Sequence, residues 1–219
     1  MPVEVRCYTD PACTWSWGAE PMVRRLRWEF GDALRFRWVL GGLARTYGSQ
    51  YRDEEGGIGS GPDCFADLMA HWLDVGARTG MPSDPHAIVE GFGADLEEVR
   101  EIPEEARAAD KVRMTEGRER IAFPTAVFLG DDGSRTGVWG WRPYDEYRAA
   151  ALAVGAEPAT SALAEPLEAI DRFGRCATRE IEELCGRPRP VVEAELWGLA
   201  RDWRLKPVPA LTGTLWELP

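Results

Sequence analysis

The order of hydrophobic periods near the N-terminus constrains this chain more than any other feature. Val3 to Tyr8 alternates β-branched and polar residues, the period of a strand, and stops at Asp10-Pro11. From Trp17 to Phe30 the apolar residues Met22, Val23, Leu26 and Phe30 recur at helical spacing, with Arg24, Arg25 and Arg27 between them. Pro21 falls inside this helix and marks a kink or a second start. Ala33 to Leu40 returns to the period of two, with Leu34, Phe36 and Trp38 on one face and Arg35 and Arg37 on the other. Strand, helix and strand at this separation make a βαβ unit with parallel strands, so the expected class is α/β.

The rest of the chain extends that plan. Ala44 to Pro62 reads as a long loop; its Gly57-Ile58-Gly59-Ser60-Gly61 run lacks the preceding strand and the lysine of a phosphate cradle. Phe65 to Arg78 is helical, and Ala87 to Gly117 mainly so, with a break near Pro103. Thr125 to Leu129 is a buried strand, Asp131-Asp132-Gly133 a hairpin turn, Arg135 to Trp141 the antiparallel partner, and Tyr144 to Val154 a closing helix. Ala162 to Leu184 and Val191 to Trp203 read as two helices around a turn at Gly186 to Pro190, followed by an extended hairpin from Pro207 to Leu218. The expected division is 1–157, with a helical insertion at about 62–119, and a helical or winged-helix-like extension at 158–219. The extension is expected to pack as a cap through Trp197, Leu199 and Trp203.

Charge excludes some partners. The 26 basic and 37 acidic side chains leave a net charge of -11, the wrong sign for a general nucleic-acid binder. In the extension, Glu193 and Glu195 open the helix that would face phosphate. No long apolar run marks a membrane span, and the start of the chain lacks a charged segment followed by an apolar core. The expectation is a cytoplasmic chain without a signal peptide. The clusters Glu97, Glu98, Glu101, Glu104, Glu105 and Glu180, Glu182, Glu183 read as solvated helix faces.

The five cysteines (Cys7, Cys13, Cys64, Cys176, Cys185) are odd in number and widely spread, which fits neither a disulfide framework nor a zinc site; no metal is expected. Cys13 differs from the others by position. In Asp10-Pro11-Ala12-Cys13-Thr14-Trp15-Ser16-Trp17-Gly18 it stands where a strand becomes a helix. Unpaired N–H groups and the positive end of the helix dipole there favour thiolate, the reactive form. Trp15 and Trp17 offer a flat apolar docking surface. A second segment, Arg120-Ile121-Ala122-Phe123-Pro124-Thr125, opens a strand with a proline that cannot donate to the ladder, a candidate cis peptide. Cys7, Cys64, Cys176 and Cys185 read as packing residues, with Cys176 and Cys185 on one helix. His71 reads as structural.

These two segments, in this order, resemble the thioredoxin-like superfamily, specifically its DsbA-like branch. Thr9 to Pro21 is similar to that branch's Asp-Pro-x-Cys-x-x-Cys turn and kinked helix, and Ala122 to Phe128 to its Phe-Pro-Thr strand opening. The resemblance covers roughly residues 1 to 156 and implies a thioredoxin-like fold: βαβ, a helical insertion, a β-hairpin and a helix. Ser16 stands where the branch has its second cysteine, and the insertion is shorter than in relatives. The resemblance therefore implies a cytoplasmic DsbA-family protein with a Cys-x-x-Ser motif: Cys13 as nucleophile, Ser16 as hydrogen-bond donor to its thiolate, and Trp15, Phe123 and Pro124 as substrate-binding surface. The implied activity is monothiol disulfide exchange on a protein or small-molecule thiol or disulfide, with no tightly bound cofactor, glutathione as a co-substrate, and a lowered Cys13 pKa. Two other functions stay open: a glutathione-dependent isomerase or transferase of the 2-hydroxychromene-2-carboxylate isomerase or kappa type, and a non-catalytic protein-binding adaptor.

Overall fold

The computed structural model describes residues 2–11, 13–41, 43, 64–83, 97–115 and 117–219. Strand β1 (Val3–Thr9), helix α1 (Thr14–Phe30) and strand β2 (Leu34–Leu40) form the βαβ unit, with β1 and β2 parallel. Strands β5 (Thr125–Leu129) and β6 (Arg135–Trp139) form an antiparallel hairpin, and β5 runs antiparallel to β1. The resulting sheet has the order β2-β1-β5-β6. Helix α4 (Tyr144–Ala153) follows β6. A parallel βαβ unit joined at its first strand to an antiparallel ββα unit is the thioredoxin-like fold.

The period of two separates the faces of the sheet. Val3, Val5 and Cys7 of β1, with Ala126 and Phe128 of β5, pack on Met22, Leu26 and Phe30 of α1 and Tyr147 and Ala150 of α4. Tyr8, Val39 and Val127 face the other way, against Val99 and Ile121. Trp38, on the same face as Leu34 and Phe36, is exposed near the end of edge strand β2.

Between β2 and β5 lie helix α2 (Cys64–Thr79), a turn of 3₁₀ helix (Glu98–Arg100) and the short helix α3 (Glu104–Ala108). The expected helix to Gly117 is not continuous. Strands β3 (Val112–Thr115) and β4 (Arg118–Ile121) form an antiparallel hairpin, with Val112 paired to Ile121 and Gly117 at a positive φ of 71° in the turn. Burial of Ile121 against Val39 and Val99 decides the strand conformation over helical propensity. The loop at 44–62 and the stretch 84–96 lie outside the described residues.

The expected helix from Ala162 to Leu184 is broken. Helix α5 (Pro166–Phe173) ends at Gly174, where φ is 74°; strand β7 (Cys176–Ala177) and helix α6 (Thr178–Cys185) follow. Cys176 therefore lies in a strand. Helix α7 (Arg189–Arg201) and strands β8 (Lys206–Ala210) and β9 (Gly213–Glu217) complete the segment, with the sheet order β7-β9-β8. Three helices and a three-stranded wing make a winged-helix-like appendage around Ile170, Ile181, Val192, Leu196 and Trp216. Prolines 207 and 209 sit in edge strand β8, where missing donors discourage further strand pairing.

The appendage meets the sheet domain through ion pairs and Trp28 of α1, which packs on Ala164, Ala169 and Leu184, rather than through Trp197 and Trp203. Trp197 is 53% exposed and Trp203 87% exposed, contrary to a packing role for them. Instead, Arg24 and Arg25 of α1 reach Glu180 (2.8 Å) and Glu183 (2.6 Å) of α6. Glu180 is fully buried and Glu98 is held by both Arg6 and Arg37, so neither lies on a solvated face. Among the described residues no helix is long and apolar enough to cross a membrane.

Candidate functional site

The β1–α1 turn positions Cys13. Its N–H donates to the Asp10 carbonyl (2.9 Å), and its own carbonyl accepts from the Trp17 N–H (3.1 Å). Cys13 is thus the N-cap residue of α1, with extended φ and ψ of -81° and 103°. The adjacent Asp10 is buried, and its carboxylate accepts from the Leu43 N–H at 2.9 Å. Trp15 lies half-buried with its ring 6.5 Å from that of Trp141, tilted by 52°. Trp141 Nε1 donates to the Gly18 carbonyl (2.9 Å), and Trp17 Nε1 to the Pro82 carbonyl (2.8 Å). Two indoles therefore anchor the first turns of α1 to the elements beside it.

The Phe123–Pro124 peptide is cis. The Pro124 carbonyl accepts from the Gly140 N–H (2.9 Å), and Thr125 Oγ1 donates to the Ala122 carbonyl (2.8 Å). Tyr8 pairs with Thr125 across β1 and β5, so the chain enters β5 at the end where β1 delivers Asp10 and Cys13. The sheet register places Cys13 and the Phe123–Pro124 loop at one edge of the fold. Gly41 closes behind it: a Cβ there would overlap the Phe123 ring and the Val99 side chain.

Electrostatics at Cys13 run against the sequence expectation. The residue is 8% exposed, and burial pushes its thiol above the usual range. The Ser16 hydroxyl, the Ser16 and Trp15 N–H groups and the charge of Arg120 oppose that rise without cancelling it. The helix N-terminus moderates the desolvation cost of a thiolate rather than overcoming it. Ser16 Oγ is buried without a hydrogen-bond partner among the described residues, and its hydroxyl acts to lower the Cys13 pKa against the effect of burial. The remaining described cysteines are free; burial pushes Cys7, Cys176 and Cys185 each up to about 12. Cys64 is in α2, and its side chain is outside the described set.

Arg120 is the residue that spacing did not single out. It ends 9% exposed in β4, donates to the Ile121 carbonyl at 2.8 Å, and carries its guanidinium 4.4 Å from the Phe123 ring centroid. Burial lowers its pKa, while Cys13 and Asp10 raise it. Its place four residues before the strand-opening proline was the one signal in the sequence, and its burial comes from the fold. Among the described residues no group of three or more His, Cys, Asp or Glu side chains is placed to hold a metal ion.

No protein-family model matches the chain. A segment of 86 residues is 30% identical to the ClpXP adapter protein SpxH of Halalkalibacterium halodurans. That match spans 38% of this chain and only 26% of the relative's length. A crystal structure of a candidate protein disulfide isomerase from Nitrosomonas europaea superimposes with a TM-score of 0.41 and 16% identity, over 68% of this chain and 95% of that one.

Proposed function

We propose that the chain is a monothiol thiol–disulfide exchange protein acting through Cys13. The observation that carries the reading is the seating of Cys13 as the N-cap of α1, at the end of β1 where the cis Phe123–Pro124 peptide enters β5. Burial raises the Cys13 pKa, and the Ser16 hydroxyl, the Ser16 and Trp15 N–H groups and the Arg120 charge reduce that rise, so that a minor thiolate fraction carries the attack.

The reaction begins when the Cys13 thiol gives its proton to solvent and the thiolate attacks one sulfur of a substrate disulfide. A Cys13–substrate disulfide forms, the substrate S–S bond breaks, and the other substrate sulfur leaves as a thiolate that takes up a proton. Ser16 has no sulfur, so Cys13 cannot be released from within its motif. A second thiol, either glutathione or another cysteine of the substrate, attacks the mixed disulfide and expels Cys13 as thiolate. Disulfides and thiols balance across the two steps without a further oxidant. Trp15, Phe123 and Pro124 line the docking edge. Docking there brings the substrate disulfide to a sulfur shielded from bulk water, and the site is expected to act on disulfides presented in an extended segment.

The test is reduction of insulin by glutathione. The chain accelerates it and Cys13→Ser does not; equal rates for the two proteins would remove the reading. A non-catalytic adaptor role is the second reading, supported by the partial likeness to SpxH. It requires partner binding that survives Cys13→Ser at full strength.

A further inference from the structure

A cavity of about 140 Å³ lies where the loop after α2 meets α7 and the wing. Its floor and walls include Pro82, Arg189, Glu193, Trp197 and Thr214. Arg189, Glu193 and Trp197 follow one another at intervals of four on α7 and so share a face. The loop is fixed against the wing: the Ser83 N–H donates to Thr212 Oγ1 (2.7 Å), and Arg189 Nη2 donates to the Gly80 carbonyl (2.9 Å). The cavity is therefore a built feature of the fold.

Its charge is unbalanced in one place. Arg189, the residue best placed to neutralise Glu193, has its Nε on Glu182 Oε1 at 2.6 Å and its Nη2 on Gly80. Every other acidic residue of α6 and α7 has a cation: Glu180 has Arg24, Glu182 has Arg189, Glu183 has Arg25 and Arg179, and Glu195 has Arg187. Glu193 has no ion-pair partner among the described residues. One turn further along α7, Trp197 is half open to solvent, with its ring held edge-on by buried Trp216 at 5.0 Å and 81°. A half-buried carboxylate beside a fixed indole face is the environment that binds a planar cation, by paired hydrogen bonds on one side and cation–π stacking on the other.

We propose that this cavity binds a guanidinium group, the side-chain end of an arginine presented by a protein partner. The volume has room for one such group. The overall charge of -11 adds long-range attraction for a basic partner. The cavity's lining residues are other than Cys13, Ser16, Phe123 and Pro124, with Pro82 touching the first turns of α1 through the Trp17 indole.

The test is a titration of indole-¹⁵N-labelled chain, with the Trp197 resonance identified from its loss in Trp197→Phe. The probes are capped arginine amide, capped citrulline amide, free arginine and a pentapeptide with a central arginine. The Trp197 signal should shift saturably with the capped arginine and the pentapeptide, while uncharged citrulline binds at least tenfold more weakly. Glu193→Gln should weaken arginine binding roughly tenfold, the scale of a lost charge-assisted hydrogen bond. Glu193 and Trp197 are on the surface of α7, so both variants are expected to fold, and unchanged far-UV circular dichroism verifies it. Equal binding of citrulline, undiminished binding by Glu193→Gln, or binding of free arginine with exclusion of the pentapeptide would each overturn the proposal.

Discussion

The Arg120 guanidinium stacks 4.4 Å from the centroid of the Phe123 ring, and this contact joins the one buried arginine of β4 to the loop that carries the cis peptide. Arg120 thereby holds a positive charge in a low-dielectric edge shared by Cys13 and Asp10. Burial already raises the Cys13 pKa, so removing the Arg120 charge raises it further and shrinks the thiolate fraction. Arg120→Met is expected to slow iodoacetamide alkylation of Cys13 roughly tenfold near neutral pH, the usual scale for losing a nearby opposite charge. Arg120→Lys, which keeps the charge and loses the planar stack, should fall between the two. The pH profile of alkylation distinguishes the cases: a purely structural role would change the rate without moving the profile to higher pH.

Ser16 limits the site to one sulfur. Ser16→Cys places a second thiol one helical turn from Cys13 and should allow an intramolecular disulfide, seen by intact mass as the loss of two hydrogens on oxidation. Persistent adducts on Cys13 should then become transient. Ser16→Ala should instead slow Cys13 alkylation, because the thiolate loses a hydroxyl donor in a buried setting.

Gly41 controls the position of Phe123. Gly41→Ala forces the Phe123 ring and Val99 apart. Overpacking of this kind costs about 1–3 kcal/mol. Exchange activity should fall by more than that stability loss alone accounts for, because the docking loop moves with the ring. Chemical denaturation and the insulin assay, run side by side, separate the two effects.

Glu180 makes stability depend on pH in an uncommon direction. It is fully buried, and burial pushes its carboxyl up to about 7, against the opposing pull of Arg24. Arg24 Nε lies 2.8 Å from Glu180 Oε1, and the Ala177 N–H donates to Oε2 at 2.5 Å. The contact with Arg24 is an ion contact without aligned hydrogen-bond geometry, and Glu20 adds negative charge nearby. The folded chain holds the Glu180 proton more tightly than the unfolded chain, so this group's contribution is most favourable below about pH 4.5 and is lost as pH rises through about 7. The loss amounts to about 3 kcal/mol. Glu180→Gln does not titrate, so the stability of wild type relative to the variant should decrease from pH 4.5 to pH 7 in urea denaturation.

The sequence was most legible where a structural rule acts over a few residues. Period-two runs and an amphipathic helix located β1, α1 and β2, and Asp131-Asp132-Gly133 located the β5–β6 hairpin. Gly174, an ordinary helix-ending glycine at positive φ, was hidden because apolar residues at helical spacing continue on both sides of it. The β3–β4 hairpin was hidden because its four-residue strands carry Arg113, Arg118, Glu119 and Arg120, which favour helix in isolation.

The site divided along the same line. Cys13 and Pro124 stand out by local position, whereas the burial of Arg120 and Glu180 depends on residues far away in the chain. Arg24 lies in α1 and Glu180 in α6, and no spacing rule connects them. The exposure of Trp197 and Trp203 was likewise unreadable, because tryptophan on an amphipathic helix is a core residue by default.

The central claim is that Cys13 is the exchanging thiol, and incubation of the reduced chain with oxidised glutathione tests it most directly. Intact mass followed by peptide mapping should show a single glutathione adduct, on Cys13, that is removed by reduced glutathione and absent from Cys13→Ser. A chain that gains no adduct, or gains it equally at another cysteine, would contradict the account.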